Sequence, residues 1–339
     1  MINSQQLQSL PELGTFDVTP DNEKLVICSA RGNPSLASEI ANYLDCPLHP
    51  LETKDFADGE IYARFGNSIR GKTVFIIQSF GDTDVNKRLM ETVLLVDAAK
   101  GASAERVIVL FPYYPYSRQD RKSRGREPIS ARVIPRMLES VGVDRFISLD
   151  LHSPQIQGFA TVPFDCASGM PILAKFVSEH LELNNTTVVS PDVGGVSRAR
   201  TFAKYLAADT SLSIIDKHRQ HHNQAEVLEV IGDVEGKTAL IVDDMIDTAG
   251  TITQGAAMLK QRGAKKVSAI ATHGLFSPPA KARLDESEIE DIIVTNSLAL
   301  PAEKRPANLH VVSVSQLLGD MIWRIYTKQS VSTLLNDGN

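Results

Sequence analysis

The sequence predicts an α/β protein built on doubly wound, mainly parallel sheets. Three observations carry that prediction. Short, β-rich apolar runs alternate with longer helical patterns along the chain. Many of the runs are apolar on both faces, as parallel strands covered by helices require. The rhythm is too long for one sheet, and 339 residues are enough for two domains with real cores.

The elements follow in order. LVICSA from Leu25 precedes a helical pattern over Pro34 to Leu44. TVFIIQSF from Thr73 leads to a helix over Asn86 to Ala99. RVIVLFPYY from Arg106 leads to one over Ser130 to Val141, and RFISLDL from Arg145 follows. Pro, Gly and small residues then cluster in TVPFDCASGMP, which places a boundary near Gly169. The second series holds TTVVSPD from Thr186, LSIID from Leu212 and TALIVDD from Thr238. It continues with KVSAIATHG from Lys266 and DIIVTNS from Asp291. The expected division is an appendage over 1–22, a first domain over 23–168 and a second over 169–339.

Composition removes several classes. With 42% hydrophobic and 22% charged residues, the chain is ordinary globular material. A net charge of -6 gives no whole-protein basic field to attract nucleic acid. Cys28, Cys46 and Cys166 are scattered and form no CxxC pair, which argues against a disulfide framework or zinc site. No stretch nears the roughly 18 apolar residues of a membrane span. The first twenty residues hold no Lys or Arg, unlike a basic presequence. The expectation is a cytoplasmic protein with neither a membrane nor a nucleic-acid partner.

The densest chemistry lies in ALIVDDMIDTAGTITQGAAML. Asp243 and Asp244 end an apolar run, and ligands of open α/β sheets bind at such strand ends. Thr251 opens a helical pattern with Ile252, Ala256 and Leu259 on one face and Gly263 as its stop. Loop amides and the helix N-terminus therefore form an anion site, best suited to phosphate. Carboxylates beside phosphate make sense if they face sugar hydroxyls or a divalent metal. Two adjacent acids can accept hydrogen bonds from a vicinal diol, so a sugar phosphate is the expected ligand. A solvated turn with a capping Thr is the plainer alternative.

Other segments add weaker signals. FPYYPYSRQDRKSRGREPIS joins aromatics to Arg118, Arg121, Lys122, Arg124 and Arg126. It fits a polyphosphate nucleotide, stacking on nucleic acid, or a solvated charged loop. Asp150 and His152 of SLDLH stand two apart at a strand end, where both can share one face. Asp192 of SPDVGG can bind hydrated Mg2+ or cap a helix. IIDKHRQHHNQAEV reads as a mobile loop that carries Lys217 and Arg219. Two such cations suit closure over a phosphoryl transition state. His221 and His222 beside them read as solvated. KDFADGE reads as a turn between strands, with Phe56 near Asp58 and Glu60.

IVDDMIDTAGT resembles the phosphoribosyl-diphosphate (PRPP) binding motif of the phosphoribosyltransferase fold. With FADGE, SIRG, FPYYPYSRQDRK, DLHSPQIQGF, SPDVGG, DKHR and THGLFS, the chain from about Leu25 onward resembles the phosphate-regulated type of ribose-phosphate diphosphokinase, which makes PRPP. The resemblance implies two phosphoribosyltransferase-like domains, an active site between them and a hexamer of dimers. It implies diphosphoryl transfer from Mg-ATP to ribose 5-phosphate, with no covalent enzyme intermediate. It places adenine on Phe56, Asp58 and Glu60, supplied by a neighbouring subunit. ATP also falls to Arg118, Gln119 and His152, and Mg2+ to His152 and Asp192. Ribose 5-phosphate falls to Asp243, Asp244, Asp247, Thr248, Ala249, Gly250 and Thr251. Lys217 and Arg219 become the catalytic cations, and Ser68 and Arg70 match the regulatory-phosphate pattern. A PRPP-consuming transferase would explain the acid-TAGT loop but not the other segments. A non-catalytic, synthase-like subunit would have damaged Lys217, Arg219, His152 or Asp192.

Overall fold

A computed structural model describes residues 24–81, 84–206, 210–218 and 227–335. The 1–22 appendage, Arg219, His221 and His222 lie outside the described residues. The chain separates into two compact units, and the main crossing falls between Ser168 and Gly169.

The N-terminal unit carries a parallel sheet of β1 (Leu25–Ser29), β4 (Thr73–Ile77), β5 (Arg106–Phe111), β6 (Arg145–Leu149) and β7 (Phe164–Ala167), in that order. Central strands such as TVFII are buried throughout, which explains their unbroken apolar character. A separate antiparallel ribbon pairs β2 (Leu51–Asp55) with β3 (Ile61–Phe65). Helix α1 (Pro34–Tyr43) starts at an Asn33 cap whose side chain accepts from the Leu36 N–H, with Pro34 in the first turn. Helix α2 (Val85–Gly101) packs on β3, β4 and β5, and also touches α3 (Ser130–Ser140).

The C-terminal unit holds a seven-stranded sheet. Its order is β10 (Val227–Ile231), β9 (Ser211–His218), β8 (Thr186–Ser190), β11 (Thr238–Ile246), β12 (Lys266–Gly274), β13 (Asp291–Thr295) and β14 (Leu309–Val312). Only β10 runs antiparallel to its neighbour. Both faces are covered. Ala239 and Ile241 of β11 join α6 (Gly250–Gln261) and α7 (Ala280–Asp285) in one core. Leu240 and Val242 join α4 (Met170–His180) and α5 (Val196–Leu206) in the other. This period-two alternation is the doubly wound arrangement expected from TALIV.

Three expectations change. The final segment from Ser313 belongs to the N-terminal unit, not to a domain over 169–339. Its helix α8 (Ser315–Tyr326) packs on α1 and buries Leu317, Leu318, Met321 and Ile322. Strand β9 runs through Asp216, Lys217 and His218, because β10 pairs with it opposite those residues. The expected loop therefore starts later than the polar sequence implied. The aromatics of FPYY are also core rather than stacking platform. Phe111, Tyr113 and Tyr114 are buried, and the Tyr114 hydroxyl donates to the Ala131 carbonyl at 2.9 Å.

Candidate active site

The strand order of the C-terminal unit reverses between β8 and β11. The chain leaves β8 toward β9 on one side and leaves β11 toward β12 on the other. Such a switch point opens a crevice at the carboxyl ends of the two strands. Asp192 follows β8 at this point, and Asp243 and Asp244 stand near the end of β11. Pairing with β8 stops at Ile241, while pairing with β12 continues to Ile246. The acids thus sit where one flank of β11 has just been released.

Asp192 is fixed by local bonds. Its Oδ1 accepts the Gly195 N–H at 2.8 Å, and its carbonyl accepts the Ser190 hydroxyl at 2.6 Å. A Cβ on Gly195 would lie 2.8 Å from the Ser190 Oγ, so this turn requires glycine. Asp192 thus closes the turn that leads into α5.

Arg198, two residues inside α5, reaches both β11 acids. Its Nη1 lies 3.0 Å from Asp243 Oδ1 and 3.2 Å from Asp244 Oδ1. The Asp244 N–H also donates to Asp243 Oδ1 at 2.8 Å. Burial, followed by repulsion from Asp244, pushes the Asp243 carboxyl well above its ordinary range, while Arg198 pulls it back down. Sequence reasoning missed Arg198. An arginine in the first turn of a polar helix reads as solvated, although its place six residues after Asp192 was the available signal.

The loop Asp247 to Thr251 carries the chain from β11 into α6. Ala249 adopts a left-handed conformation at φ 60° and caps the helix. Arg283 of α7 donates from Nη1 to the Thr248 carbonyl at 3.0 Å. A Cβ on Gly250 would stand 3.1 Å from that same nitrogen, so a bare backbone lets the brace in. Thr248 and Thr251 are exposed, and the first-turn amides of α6 have no earlier turn to pair with. The positive end of α6 therefore opens beside the acids.

The nucleotide-side candidates lie in the N-terminal unit. Phe56 is 49% exposed at the tip of the β2–β3 ribbon, and Asp58 and Glu60 are exposed beside it. The turn is closed by Phe56 N–H to Glu60 carbonyl at 2.8 Å and Glu60 N–H to Asp58 Oδ1 at 3.1 Å. Arg118 and Gln119 are exposed after β5. The Gln119 carbonyl accepts the Ala131 N–H at 3.2 Å, and its side chain accepts from Ser130. The basic loop beyond is braced by Glu127, whose Oε2 accepts the Ser123 and Arg124 amides at 2.8 and 2.9 Å. Asp150 and His152 do not share a face as expected. β6 ends at Leu149, and Asp150 takes a left-handed φ of 35°. Asp150 is buried and accepts from Ser168 at 3.0 Å, whereas His152 is exposed. Ser68 and Arg70 line a surface cleft of about 380 Å³ with Asn67, Ala98 and Ala102.

Comparison with known proteins bears directly on this arrangement. The family profile described as the N-terminal domain of ribose phosphate pyrophosphokinase matches residues 25–142. The profile described as the phosphoribosyl synthetase-associated domain matches residues 211–336. The ribose-phosphate pyrophosphokinase of Synechococcus elongatus is 48% identical over 327 residues, 96% of this chain and 98% of that protein. The chain belongs to the ribose-phosphate pyrophosphokinase family. The pyrophosphokinase of Parasynechococcus marenigrum is 49% identical over 318 residues, 94% of this chain and 95% of its own length. Among solved structures, phosphoribosylpyrophosphate synthetase from Mycobacterium smegmatis aligns with a TM-score of 0.86 at 41% identity. That alignment covers 90% of this chain and 99% of the other. The α/β fold with parallel sheets is thus that of a pyrophosphokinase family member. Among the described residues, no helix is long and apolar enough to cross a membrane.

Proposed function

We propose that the chain transfers the diphosphoryl group of Mg-ATP to the anomeric hydroxyl of ribose 5-phosphate, giving PRPP and AMP. The observation that carries this reading is the switch-point cluster. Asp192, Asp243 and Asp244 stand beside a phosphate-type loop at the N-terminus of α6. Amides and hydroxyls from Thr248 to Thr251, with Ala249 and Gly250 between them, take the 5-phosphate. Asp243 and Asp244 accept hydrogen bonds from the ribose diol, and Asp247 supports the same sugar. Arg198 offsets part of the repulsion between the two acids and holds both in place at the end of β11.

On the nucleotide side, Phe56 stacks on adenine, Asp58 reads its amino group and Glu60 supports the turn. Arg118, Gln119 and His152 hold the phosphates. The anomeric hydroxyl gives up its proton to solvent as its oxygen forms a bond to the β-phosphorus, the bond from that phosphorus to the α,β-bridging oxygen breaks, and AMP leaves with that oxygen. Lys217 and Arg219 neutralise charge on the transferring group, and alignment of the two substrates lowers the barrier further. Asp192, with His152, would hold Mg2+. A carboxylate oxygen fixed by its own turn is the hard donor that this ion prefers, with phosphate oxygens and water filling its other positions. When bound, Mg2+ offsets triphosphate charge.

A homo-oligomer, as a hexamer built from dimers, belongs to the same proposal. The free cysteines, all buried, accord with a cytoplasmic setting. The test is product analysis of purified protein with Mg-ATP and ribose 5-phosphate. AMP and PRPP are expected in equal amounts. ADP with a singly phosphorylated sugar would overturn diphosphoryl transfer.

A further inference from the structure

The adenine reading places specificity on a turn that its own ribbon cannot hold firmly. A two-stranded ribbon is marginal alone, and β2 and β3 contain no buried residue. Phe56 to Glu60 form the tip. An ionic clamp stands at the base of that tip. Asp55, the last residue of β2, receives one cation on each carboxylate oxygen. Arg31 Nη1 lies 3.0 Å from Oδ1, and Lys87 Nζ lies 2.6 Å from Oδ2. Both hold its carboxyl below the ordinary carboxylate range.

Arg31 is itself anchored in the body of the unit. Its Nε lies 3.1 Å from Oε1 of Glu91, a residue of α2 whose side chain is fully buried. The Arg31 backbone N–H donates to the same oxygen at 3.2 Å, and Arg88 Nη1 stands 3.6 Å from the other. Buried Gln78 ties the frame together. It accepts the Gly32 N–H at 2.9 Å and donates to the Arg88 carbonyl at 3.2 Å. The guanidinium therefore spans from a buried carboxylate to a surface one beside the tip. A buried ion pair adds little net stability, but breaking it frees a charge and loosens what it fixed. Only the planar fork of arginine serves both acids at once, because a lysine ammonium is a single point on a flexible stem.

We propose that Arg31 is a positioning residue for nucleotide selection: by tying Asp55 to Glu91, it holds the Phe56–Glu60 turn in the geometry that receives adenine. The inference rests on the adenine-binding reading of that turn. Arg31 acts through the turn and not on the substrate itself.

Steady-state kinetics of the full chain, with ATP and ribose 5-phosphate varied separately, test it. Arg31→Gln and Asp55→Asn are each expected to raise KM for ATP about tenfold and to narrow the preference for ATP over GTP. KM for ribose 5-phosphate and kcat at saturation should stay within about twofold. The double variant should be no worse than the worse single one, because both break one clamp. Arg31→Lys should fall between wild type and Arg31→Gln. Glu52→Ala, which removes exposed pairs on the same ribbon, should leave KM for ATP unchanged. Asp55 is partly exposed, so Asp55→Asn keeps the test open if Arg31→Gln fails to fold. An unchanged KM for ATP in both clamp variants overturns the inference, as does a fall in kcat with both KM values constant. Phe56→Ala separates the two layers. If it raises KM for ATP while the clamp variants do not, the positioning role alone is wrong. If it leaves KM for ATP untouched, the adenine reading and the inference fall together.

Discussion

At Asp243, burial and the adjacent Asp244 both oppose ionisation, and Arg198 opposes them in turn. An acid whose pKa is raised on folding binds more protons in the native state than in the unfolded chain. From the unfolded value near 4 up to the raised native value, stability therefore falls as pH rises. Asp243→Asn removes that dependence. Its stability relative to wild type should grow across this window, by on the order of 2 kcal/mol between pH 5 and pH 8. Denaturant unfolding at the two pH values reads the difference, and a gap that does not change with pH would show that the carboxyl is unshifted. Turnover should fall in the same variant, because an amide is a poorer acceptor for the sugar hydroxyls. Two adjacent acids at a strand end thus carry a stability penalty near neutral pH.

Among the elements, α6 joins loop chemistry to sheet geometry. Its N-terminus follows the phosphate-type loop, and Gly255 inside it leaves room for the Ile215 side chain of β9. A Cβ on Gly255 would stand 2.6 Å from Ile215 Cδ1, and Ile215 is only 2% exposed. Two residues further along the same strand comes Lys217. Gly255→Leu should force α6 away from β9 and destabilise the unit by about 1–3 kcal/mol. It should also slow turnover, because the strand that carries Lys217 shifts. Thermal unfolding and product formation measured together check this, and full activity with unchanged stability would show that the contact is slack. This level of the fold was partly legible. TALIVDD, the TAGT loop and the Ile252, Ala256, Leu259 stripe announced strand, loop and helix, since each signal is local. The antiparallel strand β10 was not announced. Its partners in β9 include Asp216, Lys217 and His218, whose polar side chains read as loop although the backbone pairs there. Arg198 was equally silent, because what makes it special is the distance to acids 45 and 46 positions away.

Across the whole molecule, chain order and unit order differ. Local patterns place the end of the second domain at the C-terminus. The structure instead returns the chain at Ser313 to complete the N-terminal unit. The return is written in contacts between residues 277 positions apart, which no window of sequence displays. Tyr43 of α1 donates to Asp320 of α8 at 2.6 Å, and burial raises the Asp320 carboxyl from its ordinary range. The two helices approach so closely there that a Cβ on Gly319 would lie 2.5 Å from the Tyr43 ring. Gly319→Leu should therefore push Tyr43 aside, strand the Asp320 carboxyl and damage the unit farther away in sequence. Hydrogen exchange resolves which unit responds. Amides of α1 and β1 should lose protection, while those of β11 and β12 keep theirs, because the C-terminal unit closes its two cores without α8. Equal loss in both units would mean that α8 serves the molecule as a whole rather than the N-terminal unit.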